Sequence, residues 1–376
     1  MKKEIKILIT GDFYAGGLID QLISEARYNE IFNDFLPIIK ESDIAITNLE
    51  SALTNETNTI EKTGPALKAS NKTIDALKYA GFNMVTLANN HIMDYGAKGL
   101  TDSLKLCTDN NIEFIGAGIN YEEASKILYK SINGKKLAFI NIAENEWSTT
   151  QDNEPGANPL NPVANFYSIK EAKSNADYVF VIVHGGHEHY ELPSPRMKET
   201  YRFFIDAGAD TVVGHHTHCF SGFEIYNTKS IFYSLGNFIF DKKDTQDSVW
   251  NSGFAVQFTL SNNKMGFTLH PYIQNSSVAG VHLLTGERKK QFTNRINQLN
   301  SIITDENQLM LKFEEYCLRV RHNYSAFLEP HRNKYLFALQ YRNLFPSLLS
   351  KRKRLFYLNL IRCESHRDVL LKTLKK

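Results

Sequence analysis

The residues that could do chemistry in this chain are carboxylates, amides and imidazoles set just after short apolar runs. VVGHHTHCF (212–220) puts three histidines into four positions. VFVIV runs into His184, His187, Glu188 and His189, ILIT into Gly11 and Asp12, and IAIT into Asn48 and Glu50. MVTLA leads to Asn89, Asn90, His91 and Asp94, and FYSL to Asn237. One polar residue after a strand is ordinarily a cap or a solvated turn. Six such endings, supplying oxygen and nitrogen donors with no thiolate required, point instead to a metal centre for Mn²⁺, Zn²⁺ or Fe. In extended chain, residues i and i+2 face the same way. His216 and His218 can therefore share a site, while His215 points elsewhere as a supporting or structural residue. Gly214 frees the backbone to turn at the strand end.

Charge and spacing add roles. Asp12 and Glu50 carry −2 against the +4 of two divalent ions, which favours an anionic substrate, phosphate being the obvious one. His91 and Asp94 lie three apart in NNHIMDYG, so the carboxylate can orient an imidazole that donates a proton to a leaving alkoxide. The plainer reading is a helix-start cap beside an incidental histidine. Arg196, in HEHYELPSPR, suits an anion clamp and equally the first turn of a surface helix.

Two kinds of element must position these groups. The runs IKILIT, DIAITNL, NMVTLA, IEFIGA, KLAFINIA, YVFVIVH, DTVVGH and SIFYSLGNF predict buried strands. Helical patterns over 28–40, 71–80, 97–110 and 196–207 lie between several of them, which argues for an α/β fold with covered sheets. FAVQFTL and MGFTLHPYI predict a closing antiparallel hairpin. Residues 145–166 predict a long functional loop or lid, and 242–252 a second exposed loop. The pattern turns helical at about 283, giving expected domains of 1–283 and 284–376.

The 376 residues are 42% hydrophobic and 22% charged, an ordinary globular balance with enough apolar residues for a sizeable core. A net charge of +2 gives no global field for nucleic acid. Cys107, Cys219, Cys317 and Cys363 form no CxxC pair and suit reduced thiols, with Cys219 as buried packing. MKKEIKILITGDF has too short an apolar run for a signal peptide, which predicts a cytoplasmic chain. Residues 351–376 carry nine Lys/Arg against two Asp/Glu. KRKRLFYLNLIR there could make a peripheral contact with anionic lipid; a basic surface helix packed on its apolar face is the preferred reading.

The ordered set GD (11–12), NLE (48–50), NNHxxDxG (89–96), HxGxE (184–188), GxHxH (214–218) and SLGNF (234–238) resembles the CapA-type family of capsule or poly-γ-glutamate biosynthesis proteins. That family looks like a branch of the calcineurin-like metallophosphoesterases. The resemblance covers about residues 5–275 and implies a four-layer αββα sandwich, here with a helical C-terminal extension. It implies one or two divalent ions. Asp12, Glu50 and His218 would hold one; Glu50, as a bridge, with Asn90, His184 and His216 would hold the other. His91 would be the general acid with Asp94 behind it. Asn48, His187, Glu188, His189, Arg196, His215 and Asn237 would contact substrate or support these groups. The chain departs from the phosphoesterase pattern at Tyr14, where DxH has histidine, and at Glu50, where GDxxD has aspartate. Three functions stay open. They are a phosphoesterase acting on a phosphorylated or polyanionic surface-polymer precursor, a γ-glutamyl amide hydrolase or transferase, and a non-catalytic assembly protein with a degenerate site.

Overall fold

The computed structural model describes residues 4–150, 153–241, 248–275, 279–331, 333–362, 366 and 374. Cys363, most of the basic tail beyond Arg362, and positions 151–152 and 242–247 of the two expected loops lie outside the described residues. The chain divides into two compact units, Met1–Met310 and Leu311–Lys376.

Two sheets organise the first unit. The first runs in the order Val281–Leu283, Lys264–Gln274, Ser252–Ser261, Ile5–Tyr14, Ile44–Leu49, Met84–Thr86 and Glu113–Ile115. The second runs Phe223–Tyr226, Lys229–Phe232, Thr211–His215, Tyr178–His184, Lys135–Ala143 and Leu128–Ile132. Their inner faces meet through aromatic rings: Phe258 of the first sheet packs edge-on against Phe180 at 5.4 Å and Phe232 at 5.9 Å in the second. Helices cover both outer faces. Ile19, Ile23, Ile74, Leu77 and Leu100 join Leu8, Ala45 and Val85 in one buried cluster outside the first sheet. The helices Pro162–Asn175 and Pro195–Ala207 lie on the second sheet. This is the layered sandwich expected, and burial on both faces explains why its central strands read as unbroken apolar runs.

Parallel pairing brings the strand ends to one edge. Asp12 pairs with Asn48, Asn48 with Thr86, and His184 with His215. The run SIFYSLGNF is not one strand. Lys229–Phe232 belongs to the second sheet and Asn237–Phe240 to the first, where Asn237 pairs with Asp12. The chain crosses between the sheets at 233–236. Gly11 is required there, because a Cβ on it would stand 1.8 Å from the Gly236 carbonyl oxygen. Gly214 serves a similar close approach, its Cβ position lying 2.2 Å from the Tyr233 oxygen, rather than a turn.

Other expectations are corrected. The 145–166 loop ends early, because Pro162 at the first helical position and the Asn161 side-chain cap start a helix. The expected second loop is buried at its end: Trp250 is 4% exposed and packs 4.5 Å from the His218 ring. After the strand that ends at Leu283, the helix Gly286–Thr304 packs Phe292 against Phe220 and Phe254 within the first compact unit. Within the second unit, the helix Lys351–Arg362 leaves Leu355, Phe356, Leu358 and Ile361 more than half exposed among the described residues. Among the described residues no helix is long and apolar enough to cross a membrane.

Candidate metal centre

Two groups of buried side chains could each hold an ion: Asp12, Glu50 and His218, and Glu50, His184 and His216. Within each group the ligand atoms lie within 4.8 Å of one another. Glu50 is common to both. Its carboxylate is fully buried and, among the described residues, neither oxygen accepts a hydrogen bond. An unpaired buried carboxylate is expensive, so this oxygen pair needs a cation or a proton. His184 Nε2 and His218 Nε2 each stand 3.8 Å from Glu50 Oε1. The donor set and its spacing fit a divalent ion.

The surrounding electrostatics agree. Burial pushes Glu50 well above the usual carboxylate range, and Asp12, Glu188, Glu146 and Asp94 push the same way. Burial also raises Asp12, against the opposing effect of His215 and a hydrogen bond from Asn48. Burial, then the neighbouring histidines, hold His184 well below its usual value, and His218 likewise. The imidazoles are therefore neutral, which is the form that binds metal.

A frame of hydrogen bonds fixes these groups. Asn48 Nδ2 donates to Asp12 Oδ1 at 2.7 Å and lies 3.1 Å from His184 Nδ1. Asn90 Oδ1 stands 3.0 Å from His184 Nε2, placing an amide oxygen beside the second group. Asn237 Oδ1 meets His218 Nδ1 at 2.9 Å, leaving Nε2 directed at Glu50. His215 turns away, as the alternation implied, and its Nε2 bonds the Thr10 carbonyl at 2.9 Å, bridging the sheets. The geometry beneath that alternation differs, however. The strand ends at His215, and His216 and His218 sit at φ 92° and 56° in the left-handed region. Non-glycine residues held there cost energy and cluster at functional sites. The His216 N–H donates to Asp12 Oδ2 at 3.1 Å, which supports the first of these turns.

His91 and Asp94 also come together. His91 Nδ1 lies 2.6 Å from Asp94 Oδ2 and its Nε2 lies 4.0 Å from Glu50 Oε1, so the ring faces the centre. Lys62 completes this cluster. Its side chain is 5% exposed and its ammonium pairs with Asp94. Nothing in the polar run NETNTIEKTG marked it out.

The rim residues are less tightly drawn in. His189 is exposed, with its ring 6.1 Å from that of His218. His187 is partly buried, which lowers its pKa, and stands edge-on to Tyr190. Glu188 is exposed yet acts on Glu50. Arg196 donates to Glu144 Oε1 at 2.5 Å, and Glu144 Oε2 accepts the Gly186 N–H. The arginine is thus engaged in bracing the loop after His184, in the first turn of its helix. Tyr14 is half-buried against Phe240 and belongs to neither group. Burial pushes the Cys219 thiol up to about 12, so it stays protonated and inert.

Comparison with known proteins places the chain among capsule biosynthesis proteins. The capsule biosynthesis protein CapA of Bacillus anthracis is 33% identical over 272 residues, 69% of this chain and 65% of that protein. The PGA biosynthesis protein CapA of Bacillus subtilis is 34% identical over 262 residues, 68% of each chain. A probable polyglutamine synthesis accessory protein of Mycobacterium tuberculosis is 25% identical over 214 residues, 53% of this chain and 56% of its own. The alignments thus span about two thirds or less of these relatives' lengths. The family model described as bacterial capsule synthesis protein PGA_cap matches residues 6–242, which takes in every strand-end motif, and this chain belongs to that family.

Proposed function

We propose that this chain is a metal-dependent hydrolase that cleaves a phosphoester during assembly of a bacterial surface polymer. The observation that carries the reading is Glu50, a buried carboxylate without hydrogen-bond donors, shared by two ligand groups. Asp12, Glu50 and His218 would hold one divalent ion, and Glu50, Asn90, His184 and His216 the other. Such ions supply Lewis-acid polarisation and lower the pKa of water. The chain supplies the rest. Asp94 accepts from His91 Nδ1 and fixes the ring. Nε2 then faces the centre and donates a proton to the leaving oxygen. Lys62 pairs with Asp94 and offsets part of its charge while this carboxylate orients His91.

One observation favours a second reading. Glu146 and Glu188 add carboxylates that act on Glu50. With Asp12 and Glu50 they match two divalent ions in charge, so the centre does not require an anionic substrate. The name of the Bacillus subtilis relative, a PGA biosynthesis protein, makes a γ-glutamyl amide the bond to test in that case.

The test is metal content by plasma mass spectrometry on untagged protein, followed by turnover. Bound transition metal, with hydrolysis of bis(p-nitrophenyl) phosphate that falls at least about 10²-fold in His91→Ala, is expected. Glutamate release from poly-γ-glutamate without phosphoester cleavage would select the second reading. Protein that stays metal-free after refilling with Mn²⁺ or Zn²⁺ would leave an assembly role.

A further inference from the structure

We infer that Glu146 is the positioning residue for His216 and ties the loop at 144–150 to the Glu50–His184–His216 position. This rests on the metal reading above. The two ring nitrogens of His216 meet different neighbours. Nδ1 faces His184 Nε2 at 3.0 Å, inside the ligand group. Nε2 faces outward, 3.5 Å from Glu146 Oε1. Only an unprotonated ring nitrogen can hold an ion, so the other carries the proton, and its acceptor sets both tautomer and ring plane. Glu146 stands where that acceptor belongs. The separation is longer than an N–H···O bond, and the Glu146 side chain is 40% exposed, so a small rotation closes it.

The backbone carrying Glu146 is anchored on both sides. Its own N–H donates to Glu144 O at 2.9 Å, and Asn145 Nδ2 donates to Leu160 O at 3.0 Å. Downstream, Met93 N donates to Ser148 Oγ at 3.2 Å, joining this loop to the turn that holds His91. The two ligand groups therefore differ in their outer support. His218 leans on Asn237, a buried amide within a strand. His216 leans on a carboxylate carried by a solvent-facing loop. Moving that loop loosens the second position and leaves the first intact.

Calorimetric titration of the metal-free full chain with Mn²⁺ tests this. His216→Ala identifies which binding event belongs to its position. Glu146→Ala is expected to weaken that same event about 10–100-fold, the usual effect of losing an outer carboxylate, and to leave the other within about twofold. Glu146→Gln keeps an acceptor oxygen and loses less. Amide exchange at 144–150 slows on metal loading in the wild type and not in Glu146→Ala. Equal weakening of both events would mean general loop damage, and unchanged binding would mean no link; either overturns the inference while the metal reading stands. Absence of binding in the wild type overturns both.

Discussion

The two sheets bring opposite chemistry to their shared edge. From the first come the buried carboxylates Asp12 and Glu50 and the amides Asn48, Asn90 and Asn237. The second brings His184, His216 and His218. Neither side is comfortable alone. The first buries two acids whose pKa values rise, and the second gathers histidines of which His184 and His218 are held well below their usual pKa by burial and by neighbouring histidines. A sheet that had to satisfy its own polar residues would place hydrogen-bond donors at Glu50, and none of the described residues provides one. What the contrast teaches is that the polar edge is completed only between the sheets. An ion held there would let acid and neutral imidazole share one buried space.

The sharpest way to break this picture is Glu50, the acid used by both groups. Glu50→Ala should abolish both Mn²⁺ binding events, a loss beyond the roughly 10–100-fold of an outer partner. Glu50→Gln should do nearly the same. In chelator, though, it should be more stable than the wild type by at least about 1 kcal/mol in denaturant titration, because it removes a buried charge. A chelated Glu50→Gln protein less stable than the wild type would mean that Glu50 has a protein partner and that the centre is not built for a cation.

The histidines of the second sheet separate the two positions. His216→Ala and His218→Ala should each remove one binding event and spare the other. Loss of both events from either variant would reduce two positions to one. A third effect lies on the first-sheet side. Lys62→Met leaves Asp94 buried without its cation and should cost about 3–5 kcal/mol of stability, read from urea midpoints at constant m.

Much of this division was legible in the residues. Strand ends carried the polar groups, and the strands themselves were plain as apolar runs because the sheets are covered on both faces. Alternation picks out His216 and His218, and they are the pair that faces the centre, yet their backbone is left-handed rather than extended. Alternation singled out the pair because His215 still lies in the strand and points the other way. The helix Pro162–Asn175 was hidden because its buried face is only Asn165, Ile169 and Ala172, while Val163 and Tyr167 are exposed. Its asparagine cap and first-position proline were the usable signal. Helix Gly17–Ser24 opens without a side-chain cap bond, and Asp20 in its first turn is a weak start signal. Lys62 and Glu146 could not be found this way. Both lie in polar loops, and their importance comes from what the fold carries them to.

Asn237 tests whether the first sheet supports the second. Asn237→Ala removes the acceptor from His218 Nδ1 and should weaken only the Asp12–Glu50–His218 position, by about 10–100-fold. It is the mirror of the Glu146 variant, and the two together should weaken both positions independently. Selective loss at the His216 position in Asn237→Ala would reverse the assignment of the two groups.

The smallest effect is expected at Arg196, where the rim meets solvent. Its guanidinium is 60% exposed and its partner Glu144 is 24% exposed. An exposed pair of this kind contributes about 0.2–1 kcal/mol, screened further by salt. Arg196→Ala should therefore leave both metal affinities within about twofold and lower stability by no more than about 1 kcal/mol. Glu144 keeps the Gly186 N–H at 2.9 Å, so the loop after His184 retains its brace. A large rise in KM at unchanged kcat and unchanged metal affinity would give a different answer. Arg196 would then leave Glu144 to meet an anionic substrate, and the charge-matched edge would read anions through a residue outside both sheets.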